Sequence, residues 1–275
     1  MPARNTKVMR LSEKDLDFLV ESATPEVRDR TQLKEILRED EDFRASFIGN
    51  ENVFRRVMDD EESFLRISPN LFFEILLRKA ANDLSGAGYT VEKTGSMRIP
   101  VFDAREVVSL MTKESLTVYL ADMLSSFTKI ESYTFTIRAR KGMWKKIQFN
   151  DLDIQSLISL CEVVEDAYRL GFYKRIADIC LFILGIFPDF AEPKDRYPAS
   201  GQDRPLFSLK GTMRTEDYEE EGRKFYKLAA KHQSAIDLDL SEIFWDLHGN
   251  FEKAKKPLNF ISEHYLQYKR ESFFV

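Results

Sequence analysis

Residues 151–187 read DLDIQSLISLCEVVEDAYRLGFYKRIADICLFILGIF. The first half carries apolar residues at helical spacing from 154 to 164, which predicts an amphipathic helix. The second half leaves almost no polar face from 176 to 186. A helix that is apolar on all sides is buried on all sides. We therefore predict two helical segments that meet at Gly171, the second being the buried core helix of the fold.

The apolar run has a second interpretation, as a membrane span. A span needs about 20 apolar residues, whereas Lys174 and Arg175 lie just before this run and Pro188 ends it. The N-terminal stretch is charged throughout and lacks the apolar segment that is typical of a signal peptide. We therefore expect a soluble core helix, no membrane partner and a location in the cytoplasm.

Composition limits the classes of function. The chain has 275 residues, 43% of them hydrophobic, which is enough for a sizeable core in one domain or two. The net charge of -5 argues against binding nucleic acid with the whole surface, but leaves a local basic patch open. Cys161 and Cys180 lie on apolar helical faces, so we expect buried thiols in a reducing compartment rather than a disulfide.

The patterns predict a mainly α-helical globular bundle with one small β-hairpin. Residues 1–66 predict small amphipathic helices with wide polar faces, which form either an N-terminal subdomain or a cover on the core. Residues 67–275 form the main helical domain in this interpretation. It holds the hairpin, at 133–149, and a long loop at 188–213, whose four prolines and two glycines are typical of a functional or disordered segment.

Three short patterns predict where helices begin. Thr24-Pro25 and Ser68-Pro69 each place an N-cap residue before a proline at the first helical position. Asp103 and Glu106 have the spacing of a capping box, with Asp in place of the usual Ser or Thr. We expect a helix after each of the three.

Two other stretches carry extended-chain signals. Residues 89–102, YTVEKTGSMRIPVF, predict an extended segment or an irregular loop with a short strand. Residues 133–149 change from helical spacing to a period of 2, which predicts the hairpin. A three-residue loop at 141–143 keeps apolar residues opposite each other, whereas a two-residue loop would mix the two faces. The predicted pairs are Phe135 with Phe149, Ile137 with Ile147, Arg138 with Lys146 and Arg140 with Trp144.

Three runs resemble a group of uncharacterised prokaryotic proteins. They are ISPNLFFEILL at 67–77, IESYTFTIRARKGMWKKIQFNDLDI at 130–154 and GFYKRIADICLFILGIFPDF at 171–190. The resemblance covers roughly the middle half of the chain. It implies a prokaryotic, soluble, mostly helical protein, and it carries over no activity, cofactor or catalytic residue.

Familiar catalytic and cofactor motifs are missing from the sequence. It contains no glycine-rich phosphate loop and no HExxH. His232, His248 and His264 are 16 residues apart at each step, which is not a metal-ligand spacing. We therefore predict no metal and no cofactor.

Asp178 is a candidate pocket residue, because it lies inside the apolar run, and we name no catalytic residue. A buried carboxylate needs a partner, and Arg175 and Lys174 are the nearest cations in sequence. One interpretation is an ion pair that fixes the helix register. The other is a pocket formed with Tyr168 and Arg175, in which the pKa of Asp178 is perturbed. The sequence leaves both open.

The predicted hairpin is the candidate binding surface. From Lys129 to Lys146 the sequence has six basic residues and one acidic residue. Guanidinium groups beside an exposed tryptophan suit phosphate contact and base stacking, although a solvated sheet face or pairing with acidic helices explains the same charges. The candidate binding residues are Arg138, Arg140, Trp144 and Lys146.

The leading functional hypothesis is a non-enzymatic binding or scaffold protein that recognises a protein partner through its surface. The first alternative is a nucleic-acid-binding accessory protein that uses the basic hairpin. The second is an enzyme without a recognisable motif, whose pocket lies near Asp178.

Overall fold

The computed structural model describes residues 11–27, 29–59, 66–94, 97–129, 132–140, 143–150, 152–191, 213–267 and 274. For 93, 94, 132–140 and 143–150 it describes the backbone alone. The chain is mainly helical, as predicted. Most of the predicted loop at 188–213 lies outside the described residues.

Contacts divide the chain into two compact units. The first comprises Met1–Ser126 with Lys256–Gln267, and the second comprises Phe127–Lys255 with Tyr268–Val275. This division falls elsewhere than the boundary predicted between residues 66 and 67, which stays a prediction.

The first unit contains helices and one hairpin. Its elements are α1 (Glu13–Ala23), α2 (Arg30–Glu39), α3 (Glu41–Ile48), α4 (Glu51–Asp59), α5 (Pro69–Ala87), β1 (Thr90–Thr94), β2 (Met97–Val101), α6 (Ala104–Met111) and α7 (Glu114–Ser126). The pair β1–β2 is a second hairpin, which the sequence analysis described as an extended segment or loop.

The second unit is built around the predicted core helix. Its elements are β3 (Ser132–Arg140), β4 (Met143–Asn150), α8 (Ile154–Val163), α9 (Arg169–Ile186), α10 (Thr215–Lys231), α11 (Gln233–Asp237) and α12 (Ser241–Gly249). A further helix, α13 (Phe251–Ile261), begins in this unit and ends in the first, where a π-helical turn (Ser262–Leu266) follows it.

The core helix α9 is buried at every residue from 176 to 186, which confirms the prediction. Its aromatic residues pack closely: the rings of Phe182 and Phe127 stack with centroids 4.1 Å apart. The predicted break at Gly171 is wrong, because Gly171 lies inside α9. The break comes earlier, where α8 ends at Val163 and a 3-10 turn at Asp166–Tyr168 leads into α9.

Two of the predicted helix starts are confirmed, one of them without its capping hydrogen bond, and the third is wrong. Ser68 caps α5, its hydroxyl accepting a hydrogen bond from the Leu71 backbone N–H. Thr24 instead ends α1, because its hydroxyl donates back to the Val20 carbonyl. Asp103 precedes α6 without a side-chain capping bond, since its carboxylate is engaged elsewhere, as described below.

The predicted hairpin forms, but its register differs from the prediction. The loop between β3 and β4 has two residues, 141 and 142, rather than three. Arg140 lies opposite Met143, and an irregularity between Arg138 and Arg140 adds one residue to β3. A two-residue loop alone would mix the faces, and the added residue, a β-bulge, brings Phe135 opposite Ile147. The predicted pair of Ile137 with Ile147 is wrong, because Ile137 lies opposite Lys145. The observed pairs include Tyr133 with Phe149, Phe135 with Ile147, Thr136 with Lys146 and Arg138 with Trp144.

No helix in the described part of the chain has the length and apolar content needed to cross a lipid bilayer.

Candidate binding surface on the first hairpin

One face of the β1–β2 hairpin is held by a cluster of charged groups. Lys256, on α13, has a side chain that is 5% exposed, and its Nζ lies 2.7 Å from Oε1 of Glu92 on β1. The same Nζ donates a hydrogen bond to Oδ2 of Asp103. Thr90, also on β1, donates from its hydroxyl to Oδ1 of Asp103. Residues 90 and 92 point to the same side of the strand, which we call the inner face of the hairpin. It is anchored by these contacts but is not sealed, because Ile99 and Met97 on this side are 44% and 61% exposed.

The pKa values of the cluster show that its charges stabilise each other. Burial alone would lower the pKa of Lys256, but the hydrogen bonds to Asp103 and Glu92 outweigh it and raise that pKa. Burial alone would raise the pKa of Asp103, but the hydrogen bonds from Lys256 and Thr90 lower it. The cluster therefore remains charged over a wide pH range and fixes the hairpin on its helical support.

The opposite face of the hairpin is exposed. Val91 pairs with Pro100 and Lys93 with Arg98, and the rings of Tyr89 and Phe102 lie 6.4 Å apart in an edge-to-face contact. Phe102 is 86% exposed, Tyr89 44% and Val91 41%, while Pro100 and Arg98 are also exposed. We call this set the outer hairpin face: Tyr89, Val91, Arg98, Pro100 and Phe102.

Pro100 limits the ways in which a partner could bind this hairpin. Pro100 has no backbone N–H, so β2 lacks one of the donors that an added strand would need. Addition of a partner strand along β2 is therefore disfavoured. The side chains of the outer hairpin face, rather than the strand edge, are therefore the groups that a partner could contact.

The sequence analysis missed this surface, although a signal for it was present. Residues 90–94 and 97–101 are two short runs separated by the dipeptide Gly95-Ser96. Two runs separated by a Gly-Ser pair are typical of a tight hairpin. Pro100 obscured that pattern, since proline is tolerated in a strand mainly at an edge or a bulge.

The structure separates the three residues of the predicted pocket. Asp178 is fully buried, with Oδ2 2.6 Å from Lys174 Nζ and Oδ1 accepting a 2.9 Å hydrogen bond from the Tyr226 hydroxyl. The Arg175 guanidinium lies 4.0 Å from the centroid of the Phe127 ring. Tyr168 is 68% exposed. Lys174, one of the two cations expected near Asp178, is therefore bonded to its carboxylate.

The predicted binding residues of β3 and β4 have only their backbone described. The observed register sets Arg138 opposite Trp144 and Lys146 opposite Thr136. Arg140 lies opposite Met143 and not opposite Trp144, because the bulge intervenes. The predicted pairs of Arg140 with Trp144 and of Arg138 with Lys146 are therefore wrong, and the cation opposite the tryptophan is Arg138.

The histidines and cysteines have local structural surroundings. His232, His248 and His264 each contact a different backbone carbonyl, those of Asp166, Arg223 and Phe260. Both cysteines are buried and free, and burial raises the pKa of the Cys161 thiol to about 11. Within the described residues, no group of three or more His, Cys, Asp or Glu side chains is arranged to hold a metal ion.

A groove of about 460 Å³ lies within the first unit, among α3, α5 and α6. The charged residue that lines it is Arg78, which forms ion pairs with Glu74 and Glu114. Both carboxylates thus neutralise the charge that would orient an anionic ligand there. The other lining residues are Ala45, Ser46, Gly49, Leu77, Ala81, Asn82, Ser85, Val108, Met111, Thr112 and Thr117.

Comparison with protein-family models, with curated proteins and with solved structures gave no match to this chain. The resemblance to a prokaryotic group therefore stays a prediction.

Proposed function

We propose that this protein is a non-enzymatic binding protein that recognises a macromolecular partner with the outer hairpin face. The observation that carries the proposal is the exposure of Phe102, at 86%, beside exposed Tyr89 and Val91 on one face. Single exposed apolar residues are common on protein surfaces, whereas a contiguous patch of them is typical of an interaction site.

The anchoring of the inner face supports the same proposal. Lys256 holds Glu92 and Asp103, so these two residues are fixed in position before a partner arrives. Such preorganisation lowers the entropic cost of binding. A strand pair that is anchored in this way and carries an exposed aromatic pair is suited to recognition.

The surroundings of Asp178 support a binding role over a catalytic one. Its carboxylate is fully buried, and both oxygens accept hydrogen bonds. Such an arrangement is typical of a structural ion pair, and a catalytic carboxylate would need access to a substrate.

Site-specific photo-crosslinking in cells that express the full chain tests the proposal. A photoreactive phenylalanine analogue replaces Phe102 in one variant and Trp245, which is 41% exposed in the second unit, in a control. We expect a discrete adduct at position 102, absent at 245 and lost when Tyr89→Ser and Val91→Ser are added. The proposal fails if position 102 gives no adduct, or if both positions give the same one.

The second hairpin supports a second candidate function, binding of nucleic acid, because its register sets Arg138 opposite Trp144. Fluorescence anisotropy with short single- and double-stranded DNA and RNA, at low and physiological salt, tests it. Salt-sensitive binding that disappears in the Arg138→Ala/Arg140→Ala variant would favour this candidate. Absence of binding at low salt would remove it.

A further inference from the structure

The composition of the outer hairpin face indicates the class of its partner. Tyrosine, phenylalanine and arginine are enriched in the cores of protein–protein interfaces. The outer hairpin face holds one of each, namely Tyr89, Phe102 and Arg98. Interfaces with nucleic acid are more polar and much more positively charged. The net charge of -5 also disfavours an extended polyanion as the partner. The apolar residues of the outer hairpin face are Tyr89, Val91, Pro100 and Phe102, which we call its apolar centre. They favour a protein as the partner.

The acidic residues of the hairpin segment are already paired. Glu92 and Asp103, the acidic residues of the segment 89–105, are both held by Lys256. Arg98 remains, with a side chain that is 69% exposed and 3.9 Å from Glu263. An ion pair of that length and exposure contributes little, so Arg98 stays accessible to a partner.

A second cation lies at the other end of the apolar centre. Arg105 is exposed, in the first turn of α6, three residues after Phe102. It forms no ion pair with any residue that the structure describes. Arg98 thus precedes and Arg105 follows the apolar stretch of chain at 99–102, next to which the carboxylate of Asp103 is already paired with Lys256.

Resting on the proposed function, we infer that the partner is a protein segment with an aliphatic or aromatic side chain flanked by carboxylates. The apolar side chain packs on Phe102 and Tyr89, and the carboxylates pair with Arg98 and Arg105. Complementary charge of this kind gives specificity and raises the association rate. The segment binds through its side chains, because Pro100 disfavours strand addition along β2.

Selection from a displayed library of random peptides tests this inference on the full-length protein. We expect the selected peptides to be enriched in Asp and Glu next to Leu, Ile, Phe or Trp. Their affinity should fall about tenfold or more in Arg98→Glu/Arg105→Glu. It should stay within about twofold in Lys14→Glu/Arg55→Glu, which changes net charge equally at exposed positions. The Arg98→Glu/Arg105→Glu variant should in turn select peptides rich in Lys and Arg.

The outcomes separate the inference from the proposed function. If Phe102→Ser abolishes peptide binding but the reversal of Arg98 and Arg105 does not, the acidic partner is overturned and the binding surface stands. If Phe102→Ser has no effect, the proposed function is overturned as well. If oligo(dT) or oligo(U) binds the outer hairpin face and displaces the peptides, the partner is a nucleic acid and the inference fails.

Discussion

The hydroxyl of Tyr226 on α10 donates a 2.9 Å hydrogen bond to Oδ1 of Asp178 on α9. Both residues are fully buried, and the other carboxylate oxygen pairs with Lys174. If a buried carboxylate loses a hydrogen-bond donor, the oxygen that accepted the bond stays desolvated without that donor, which destabilises the folded state. This hydrogen bond joins α9 to α10, and its loss should lower the free energy of unfolding.

Tyr226→Phe should therefore lower the free energy of unfolding by about 1.5 to 3 kcal/mol. Tyr218→Phe, in the same helix, is the matched control. Tyr218 is 3% exposed, and within the described residues its hydroxyl has no hydrogen-bond partner. We expect a change within about 0.5 kcal/mol for the control. Urea unfolding at neutral pH measures both, and equal losses would contradict the role given to the Asp178 bond.

Two helical glycines should respond to alanine in opposite directions. A Cβ at Gly222 would lie 2.5 Å from a Phe251 ring carbon and 3.0 Å from Cys180 Cβ, whereas a Cβ at Gly171 meets no atom within 4 Å. Gly222→Ala should destabilise the protein by about 1 to 3 kcal/mol, as overpacking does. Gly171→Ala should stabilise it by up to about 1 kcal/mol, because alanine favours the helix. Thermal unfolding of both variants checks the difference in sign.

The Lys256 cluster should stabilise the protein between two pH limits. The pKa of Asp103 is lowered from its ordinary 3.8, so its contribution is complete above that pH and is lost as pH falls through the lowered pKa. The pKa of Lys256 is raised from its ordinary 10.5, so its contribution is complete below that pH and is lost as pH rises through the raised pKa. Lys256→Met should cost about 2 kcal/mol at pH 7 and much less once the pH falls below the lowered pKa of Asp103.

Lys255→Met is the control for the Lys256 variant. Lys255 is the preceding residue on α13, and its ion pairs to Glu219 and Glu252 measure 3.8 and 3.7 Å. These longer pairs should contribute less than about 1 kcal/mol. Chemical unfolding of both variants across pH provides the comparison, and a loss for Lys256→Met that does not vary with pH would show that the ion pairs are not its cause.

Glu74 should give the opposite pH dependence to Asp103. Burial raises the pKa of Glu74 from its ordinary 4.5, although Arg78 acts to lower it. Between 4.5 and the raised pKa, the folded protein keeps a proton that the unfolded chain has lost, so stability falls as pH rises. Relative to Glu74→Gln, wild-type stability should fall with a slope of up to about 1.4 kcal/mol per pH unit in this window. Parallel stability curves for the two proteins from pH 4 to 7 would refute the assignment.

The parts of the fold that follow local rules were predicted from the sequence. The buried helix α9 was predicted because apolar side chains surround its axis from residue 176 to 186. Ser68 was predicted as an N-cap because its hydroxyl accepts a hydrogen bond from a backbone N–H of the helix that follows it. The end of α1 was misplaced because Thr24 can cap a helix in either direction. Its hydroxyl bonds backward, to Val20, and no local signal distinguishes the two directions.

The candidate site depends on residues that are far apart in sequence. Lys256, which holds the inner face, and Glu92 are distant in the chain, and neither position carries a motif that connects them. The spacing of Asp103 and Glu106 predicted a helix cap, yet a buried cation has a stronger need for the Asp103 carboxylate than exposed N–H groups have. The bulge in β3 likewise depends on pairing across the hairpin, so it was not predicted.

The location of Lys256 has a consequence for synthesis of the chain on the ribosome. Folding proceeds from the N-terminus as the polypeptide emerges, so β1 and β2 leave the exit tunnel long before α13 does. Until then Asp103 and Glu92 lack their cation, and the inner face of the hairpin has no anchor. A nascent chain, or one truncated before Lys256, therefore carries a hairpin whose acidic residues have not yet met the cation that anchors them.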